Sequence, residues 1–227
     1  MIRRRMEAAE RSGGISAEPI YALIDKVIEA RQLVGSVLDF GAGRGLYVER
    51  LVRSGRFDRV EAVDLLPKPE FLSDEILWRV GDLNCATDFP DGAFDLVLAA
   101  EVIEHLENPR AVAREWFRLL RPKGTLLVTT PNNESWRSLA ALLVKGHFTF
   151  FLDESYPAHI TALVRKDIER ILSEAGFARP SFQYTNVGLL PVLHWSWQRI
   201  LGPFANGLRF SDNVLAIAQK PDISLRQ

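Results

Sequence analysis

The chain has 227 residues, of which 47% are apolar and 25% are charged, the balance of an ordinary globular domain with a sizeable core. Its formal net charge is −1, which excludes a strongly basic surface of the kind that binds nucleic acid. The single cysteine, Cys85, excludes an internal disulfide and a cysteine cluster for zinc, and we expect its side chain to be buried. No apolar run reaches the ~18 residues of a spanning helix. No signal-peptide pattern opens the chain either, so we expect a cytoplasmic protein.

Strand and helix patterns alternate from about residue 36 to residue 219. The predicted strands are 36–40, 59–65, 77–83, 94–100, 125–130 and 213–220, and the predicted helices are 46–54, 109–120, 135–144 and 165–175. This alternation predicts an α/β fold with a doubly wound, mostly parallel sheet of the Rossmann-like kind. We expect one domain over residues 15–220, with loose ends at 1–14 and 221–227.

Two aromatic segments, 131–160 and 186–210, interrupt this alternation over part of their length. Long irregular segments inside a compact domain are usually lids or binding loops. The sequence therefore predicts an inserted helical and aromatic lid.

A glycine-rich turn follows the first predicted strand. Gly41, Gly43 and Gly45 alternate along it, and Asp39 precedes them. The dinucleotide fingerprint needs its third glycine one position later, where this chain has Leu46, and no lysine follows the glycines as in a P-loop. The turn is therefore suited to a close approach by a ligand group other than a phosphate.

Acidic residues fall at or near the carboxyl ends of the first four predicted strands: Asp39, Asp64, Asp82 and Glu101. Any one of them alone could be a helix cap or a solvated loop residue. In an open parallel sheet, however, the ligand lies beyond these strand ends. Asp64, about twenty residues after the glycines, is placed to accept ribose hydroxyls, and Asp82 could accept an adenine amine. Asp39 and the glycine backbone would then face an amino-acid tail, which together describes S-adenosylmethionine.

Four stretches, "VLDFGAGRG", "VEAVDL", "GDL…FPDGAFDLVLAAEVIEHLENP" and "LRPKGTLLVTTPN", resemble the class I S-adenosylmethionine-dependent methyltransferases over residues 36–131. The likeness is to the small-molecule and lipid-precursor branch that includes the ubiquinone-biosynthesis O-methyltransferases. The resemblance implies a seven-stranded sheet and S-adenosylmethionine as cofactor. It also implies cofactor-binding roles for Asp39, Gly41 and Gly43 (methionine part), Asp64 (ribose), Asp82 with Leu83 (adenine) and Glu101 (pocket wall).

One stretch departs from that family pattern. The family usually has a full helix between the second and third strands, whereas "LLPKPEFLSDEIL", residues 65–77, carries two prolines and is short. We therefore expect an unusual wall on the adenine side.

Methyl transfer to a hydroxyl needs a group that removes a proton, and His105 and His159 are the candidate catalytic bases, His105 first. Either could instead bridge backbone groups near the pocket. Glu101, Glu104 and His105 also stand at helical i, i+3, i+4 spacing, as in a metal site of some ubiquinone-pathway relatives. We prefer a helix start there and expect no metal.

The methyl acceptor is suggested by the composition of the two aromatic segments. Their rings, interspersed with Asn132, Asn133, His147 and His194, suit a small-molecule, saccharide or lipid-linked acceptor. The same rings are compatible with packing, with a homodimer contact or with a peripheral membrane contact through Trp195 and Trp197. A nucleic-acid base is not expected, because "AAEV" follows the fourth strand where base amino-methylases carry an Asn/Asp-Pro-Pro-aromatic turn. A nicotinamide oxidoreductase and a cofactor-binding module without catalysis remain the alternatives.

Overall fold

One sheet organises the computed structural model, which describes residues 5–7, 9, 13–191, 193 and 195–222. These residues form seven strands: β1 Gly35–Phe40, β2 Phe57–Asp64, β3 Leu77–Val80, β4 Phe94–Ala100, β5 Leu120–Pro131, β6 Ser181–Tyr184 and β7 Asn213–Gln219. The strands lie in the order β3-β2-β1-β4-β5-β7-β6, and β7 runs antiparallel to the other six. The predicted doubly wound α/β sheet is confirmed.

Helices of the described residues cover the sheet and connect its strands. Those from residue 18 onward are α1 Glu18–Ala30, α2 Leu46–Arg53, α3 Pro109–Leu119, α4 Trp136–Lys145, α5 Arg165–Ala175 and α6 Trp197–Leu201. Asn108 caps α3 and Ser135 caps α4, each accepting a hydrogen bond from the backbone amide three residues on. No helix in the described part of the chain is long and apolar enough to cross a membrane.

Three elements, α1, β6 and the five-residue helix α6, were not predicted. The signal for α1 was present, because its buried apolar side chains recur at helical spacing: Ile20, Leu23, Ile24, Val27 and Ile28. Strand β6 has only four residues and an alternating, half-exposed pattern, so it is defined by its pairing with β7.

The stretch between β2 and β3 forms no helix, and every residue in it is described. Pro67 and Pro69 each remove a backbone donor, which disfavours helix. Instead, the indole Nε1 of Trp78 donates to the carbonyl of Leu66 at 3.0 Å and holds the loop against the sheet. The structure therefore lacks a helix here, as the two prolines indicated.

Cys85 is exposed, and the expectation of a buried side chain was wrong. Its amide closes a turn by donating to the carbonyl of Asp82 at 2.9 Å. The turn lies beyond the short strand β3, outside the core, so local composition gave no sign of the exposure.

Apolar side chains pack on both faces of the sheet. On one face Trp116 of α3 is completely buried and meets Phe40 edge-on, with ring centroids 5.8 Å apart. On the other face, α1 and α2 pack against β1 and β4. The cores fix the sheet, and with it the positions of the strand ends.

Replacing Trp116 by alanine should lower the free energy of unfolding by about 3–5 kcal/mol, because it removes a fully buried aromatic ring. Leu143→Ala is the control, since that side chain is 87% exposed and its loss should change stability by less than about 0.5 kcal/mol. Urea denaturation of both variants measures the difference. Equal stabilities for the two variants would contradict the assignment of Trp116 to the core.

Candidate functional site

A cavity of about 650 Å³ opens at the carboxyl ends of the strands. That volume suits a nucleoside-sized ligand. Every site residue predicted from the sequence lines it: Asp39, Gly41, Gly43, Asp64, Asp82, Leu83, Glu101, His105 and His159. The structure therefore brings all nine together, although they are spread over 120 positions of the chain.

The glycine turn has left-handed backbone at both predicted contact positions, with φ of 88° at Gly41 and 55° at Gly43. The amide of Gly41 donates to the carbonyl of Val63 at 2.8 Å, which ties the turn to the end of β2. A Cβ on Gly43 would overlap the carbonyl group of Gly14. The glycine requirement thus comes from the close approach of the N-terminal segment as well as from the backbone angle.

Asp64 holds the same turn from the neighbouring strand. Its Oδ2 accepts a hydrogen bond from the amide of Gly43, and its Oδ1 accepts one from the amide of Leu66, both at 2.8 Å. Burial raises the pKa of Asp64, and these backbone amides partly oppose that shift. A carboxylate can accept about four hydrogen bonds, so Asp64 keeps capacity for ligand hydroxyls.

Asp39 is buried at the end of β1, and its Oδ2 has no hydrogen-bond partner among the described residues. Burial, with a smaller contribution from the charge of Asp64, raises the pKa of Asp39 to about 7. An unpartnered buried carboxylate is unfavourable unless a cation or a donor reaches it. The cavity is therefore suited to a ligand that brings positive charge to this point.

Two tyrosines that the sequence analysis missed line the cavity beside Asp39. The rings of Tyr21 and Tyr47 stack with centroids 4.9 Å apart, and the hydroxyl of Tyr47 donates to Asp25 at 2.7 Å. Tyr21 comes from α1, whose apolar periodicity was the signal that could have revealed it. Together they form an aromatic wall next to the acid.

Asp82 is engaged by the N-terminal segment. The guanidinium of Arg5 contacts the carboxylates of Asp82 and Glu107, and Asp82 also accepts from the amide of Asn84 at 3.0 Å. Burial alone would raise the pKa of Asp82, but these hydrogen bonds outweigh it and lower the pKa.

Residues 1–14 were expected to be loose. Those of them that are described include Arg5 and Gly14, which contact the site, while 1–4, 8 and 10–12 lie outside the described residues.

The residues after β4 do not begin an α-helix. The helix start expected at Glu101, Glu104 and His105 was therefore wrong. Glu101 has a φ of 56°, and only a 3-10 turn, Ile103–His105, follows. Glu101 accepts from the side chain of Asn213 at 3.0 Å. Glu104 accepts from the hydroxyl of Thr130 at 3.1 Å.

Both glutamates keep one buried oxygen, Oε1, with no partner in the described structure. Burial raises the pKa of Glu104 to about 8. Burial first, and then the charge of Glu104, also raise the pKa of Glu101 well above its usual value. Glu101, which lines the cavity, therefore brings unused hydrogen-bonding capacity to its wall.

The two candidate histidines adjoin each other, with ring centroids 4.9 Å apart. Nδ1 of His105 lies 2.7 Å from the carbonyl of Ala158, and Nδ1 of His159 lies 2.6 Å from the carbonyl of Phe150. A carbonyl oxygen only accepts, so each Nδ1 carries a proton and donates it. Burial lowers the pKa of both imidazoles and favours their neutral forms.

One ligand atom from each of Glu104, His105 and His159 lies within 4.8 Å of the others, a set that could hold a metal ion.

The far wall of the cavity comes from the segment after α4, through Phe150, Tyr156, Pro157, His159 and Ile160. No described residue of 186–210 lines the cavity, and His194 lies outside the described residues.

Asn132 and Asn133, which the sequence suggested as polar contacts for an acceptor, are buried in packing. Their side-chain amides donate to the carbonyls of Leu208, Ser211 and Leu163. They tie the end of β5 to the segments that follow it.

The fold and the cavity together define a class of protein: a doubly wound α/β protein with a nucleoside-sized cavity lined by acids at its strand ends. A family model described as "Methyltransferase domain" matches residues 13–179, and the chain belongs to this family. The family and the resemblance to its members establish S-adenosylmethionine as the methyl donor and the protein as an S-adenosylmethionine-dependent methyltransferase.

Individual relatives agree with this assignment. The chain is 31% identical over 172 residues to a ubiquinone biosynthesis O-methyltransferase of Xanthomonas oryzae pv. oryzae, covering 65% of this chain and 70% of that protein. An S-adenosylmethionine-dependent methyltransferase from Archaeoglobus fulgidus has the same fold, with a TM-score of 0.64, 20% identity and coverage of 93% and 97%. So does the 1,6-didemethyltoxoflavin-N1-methyltransferase of Burkholderia thailandensis, solved with S-adenosylhomocysteine bound (TM-score 0.56, 18% identity, coverage 90% and 78%).

Gly43→Ala should weaken the binding of S-adenosylhomocysteine by at least tenfold, or about 1.4 kcal/mol, because the new Cβ would force the Gly14 backbone away from the turn. Gly55→Ala is the matched control, since its φ of 60° imposes similar strain while no atom lies within 4 Å of the new Cβ. Calorimetric titration gives both dissociation constants. Equal affinities would show that the approach of Gly14 is unimportant to the site.

Asp39→Asn should stabilise the unliganded protein at neutral and higher pH. The pKa of Asp39 is raised from 3.8 to about 7 on folding, so keeping it ionised costs stability increasingly from about pH 4 to pH 7. The difference in melting temperature between the variant and wild type should grow over that range and level off above it. Asp58→Asn, at an exposed position of β2, should give no such trend. A constant difference at all pH values would contradict the raised pKa.

Proposed function

We propose that the protein transfers the methyl group of S-adenosylmethionine to a hydroxyl oxygen of a small-molecule, saccharide or lipid-linked acceptor. The observation that carries this proposal is the far wall of the cavity, where a neutral histidine, His159, stands among the apolar side chains of Phe150, Pro157 and Ile160. An acceptor that meets this wall would bring a hydroxyl to a base inside a largely apolar pocket. The name of the Xanthomonas relative, an O-methyltransferase of ubiquinone biosynthesis, supports the same class of acceptor.

The cofactor supplies a reactive methyl group on a sulfonium, and the chain supplies its binding and alignment. In this proposal Asp64 accepts the ribose hydroxyls, Asp82 and Leu83 adjoin the adenine, and Asp39 meets the positive charge of the methionine part. Gly41 and Gly43 allow the close approach, and Glu101 forms the adjoining wall. Holding the acceptor oxygen in line with the methyl group would contribute about 7–11 kcal/mol to lowering the barrier.

His159 is a better base than His105 on its surroundings. His105 donates from Nδ1 to the carbonyl of Ala158 and is the more deeply buried of the two rings. His159 has one backbone partner, at Nδ1, and is less enclosed. We therefore assign proton removal to Nε2 of His159 and a positioning role to His105.

A divalent cation is the second candidate for proton removal, favoured by the unpartnered Oε1 of buried Glu104 beside the two imidazoles. Glu104, His105 and His159 would hold it, and it would acidify an acceptor hydroxyl. Activity that disappears with EDTA and returns with added Mg²⁺ would make His159 a ligand and not the base.

The class of acceptor can be tested by incubating the protein with methyl-labelled S-adenosylmethionine and a cell extract divided into aqueous and lipid fractions. We expect label in a product that resists mild alkali, as an ether does and an ester does not. Label on nitrogen or carbon, or none in either fraction, would contradict the proposal. The cytoplasmic location expected from the sequence stays a prediction.

His159→Asn should lower kcat for the labelled acceptor by about 10²–10⁴-fold, the usual contribution of a general base. Asparagine can still donate to the carbonyl of Phe150 but has no Nε2. His147→Asn is the matched control, because its Nδ1 has a similar backbone partner, Phe148 at 3.0 Å, and it does not line the cavity.

The pH profile separates a base from a structural role. Because burial lowers the pKa of His159, the wild-type kcat should be flat above neutral pH and fall only as the pH drops below the usual histidine value of about 6.5. The residual activity of His159→Asn should not fall in this way at low pH. The same fall in His159→Asn, or equal kcat for His159→Asn and His147→Asn, would show that His159 takes no part in the reaction.

A further inference from the structure

Exposed apolar side chains are concentrated in α4 and in the 195–204 segment. Leu143 and Phe204 are each 87% exposed and Val144 is 84% exposed, values unusual for large apolar side chains. We name this surface the apolar–basic face. Its members are Trp136, Leu142, Leu143, Val144 and Lys145 from α4, and Trp195, Arg199, Ile200, Leu201 and Phe204 from the second segment.

The two parts of the apolar–basic face adjoin through the turn Leu208–Phe210. The guanidinium of Arg209 lies 5.3 Å from the ring centroid of Trp136, at the start of α4. Phe210 packs edge-on against Trp197 of α6, with centroids 5.5 Å apart, and its carbonyl accepts from the side chain of Gln198 at 3.0 Å. The Leu208–Phe210 turn thus contacts both the start of α4 and helix α6.

The face contains cations and no acids. Residues 135–152 and 175–211 include no aspartate or glutamate, in a chain that has 29 of them in 227 residues. Lys145 and Arg199 have no ion-pair partner in the described part of the structure, and Arg199 lies 5.4 Å over the ring of Trp195. The acids that flank these stretches along the chain include Glu134 and Asp212, which are half-buried and paired with arginines, and the exposed Asp153 and Glu154.

We propose that the apolar–basic face docks on the surface of an anionic lipid bilayer. Tryptophan, leucine and phenylalanine beside unpaired lysine and arginine are the side chains that enter the boundary between headgroups and acyl chains. Charge complementarity favours this occupant over a second copy of the chain. A two-fold contact through the face would bring the cations of one copy near those of the other, with no acids to offset them.

Docking in this way brings the bilayer beside the acceptor side of the cavity. Arg137 of α4 lies 5.5 Å over the ring of Phe150, which lines that wall. This inference deepens the proposed function and rests on it for the acceptor, narrowing that acceptor to one embedded in the membrane. The 186–210 segment, predicted from the sequence as a lid, is assigned a membrane-contact role instead.

The test is flotation of the full chain with two kinds of vesicle, phosphatidylcholine alone and phosphatidylcholine with an equal amount of phosphatidylglycerol. We expect binding to the second kind, weakened by salt. The double variant Leu143→Ser/Phe204→Ser should lose about tenfold in binding for each side chain, since each withdraws apolar area from the boundary. Lys145→Glu/Arg199→Glu should lose at least about fivefold for each cation removed.

Matched controls are Val34→Ser, at a 57% exposed apolar position before β1, and Lys26→Glu, at an exposed position of α1. Both should bind vesicles as wild type does, and all variants should keep the wild-type melting temperature and affinity for S-adenosylhomocysteine. Failure to float with anionic vesicles, or equal losses in the controls, would overturn the proposal. So would a dimer in sedimentation that Leu143→Ser/Phe204→Ser dissociates, because the face would then be a subunit contact.

Methylation assays separate this inference from the proposed function. If vesicle binding depends on the apolar–basic face but no label enters the lipid fraction, the docking surface is supported and the lipid-linked acceptor is refuted. Label in the lipid fraction without vesicle binding would refute the docking surface alone.

Discussion

The parallel pairing of β1 with both β2 and β4 is the constraint on which the site depends. Asp39 lies opposite Ala62 on one side and Leu98 on the other, so the three strands end at the same edge of the sheet. Their terminal acids and the glycine turn meet there because parallel strands share one carboxyl edge. The bond from the amide of Gly43 to Asp64 then locks the turn of one strand to the end of the next. The geometry of the cavity rim follows from backbone pairing in the sheet centre.

Burial gives this edge its chemical character. Asp39, Glu101 and Glu104 are enclosed, and each has an oxygen without a partner among the described residues. Burial raises the pKa of all three carboxyl groups, which destabilises the unliganded protein when they ionise. In the proposed function a cationic ligand would relieve that cost, and the protein would lose stability in exchange for affinity toward a sulfonium and an ammonium. A phosphate would meet repulsion at the same point.

The two sides of the cavity are built differently. One side consists of strand ends supported by the core, whereas the other side, proposed to receive the acceptor, comes from the segment that follows α4 and carries His159. Backbone carbonyls hold both histidines in the tautomer that leaves Nε2 unprotonated, so the proposed base depends on the course of this segment. The adjoining apolar–basic face shares α4 with it. Recognition of the acceptor and contact with a bilayer would therefore depend on the same helix.

The sequence by itself determined the sheet class, most element positions and the candidate residues that line the cavity. Apolar periodicity and glycine, proline and asparagine signals are local, so the helix at 165–175 and the strand at 94–100 could be predicted residue by residue. Strand-end acids could be assigned because the order of elements fixes which edge they share.

Only the tertiary structure decided how distant segments meet at that edge. Arg5 reaches Asp82 across 77 positions, Tyr21 stacks on Tyr47, and Glu101 adopts a left-handed backbone that no helical spacing rule anticipates. The exposure of Phe204, and of Cys85, likewise depends on what packs nearby and not on the residue itself. Local pattern specifies elements, whereas contacts between segments far apart in the chain are fixed only when the core is packed.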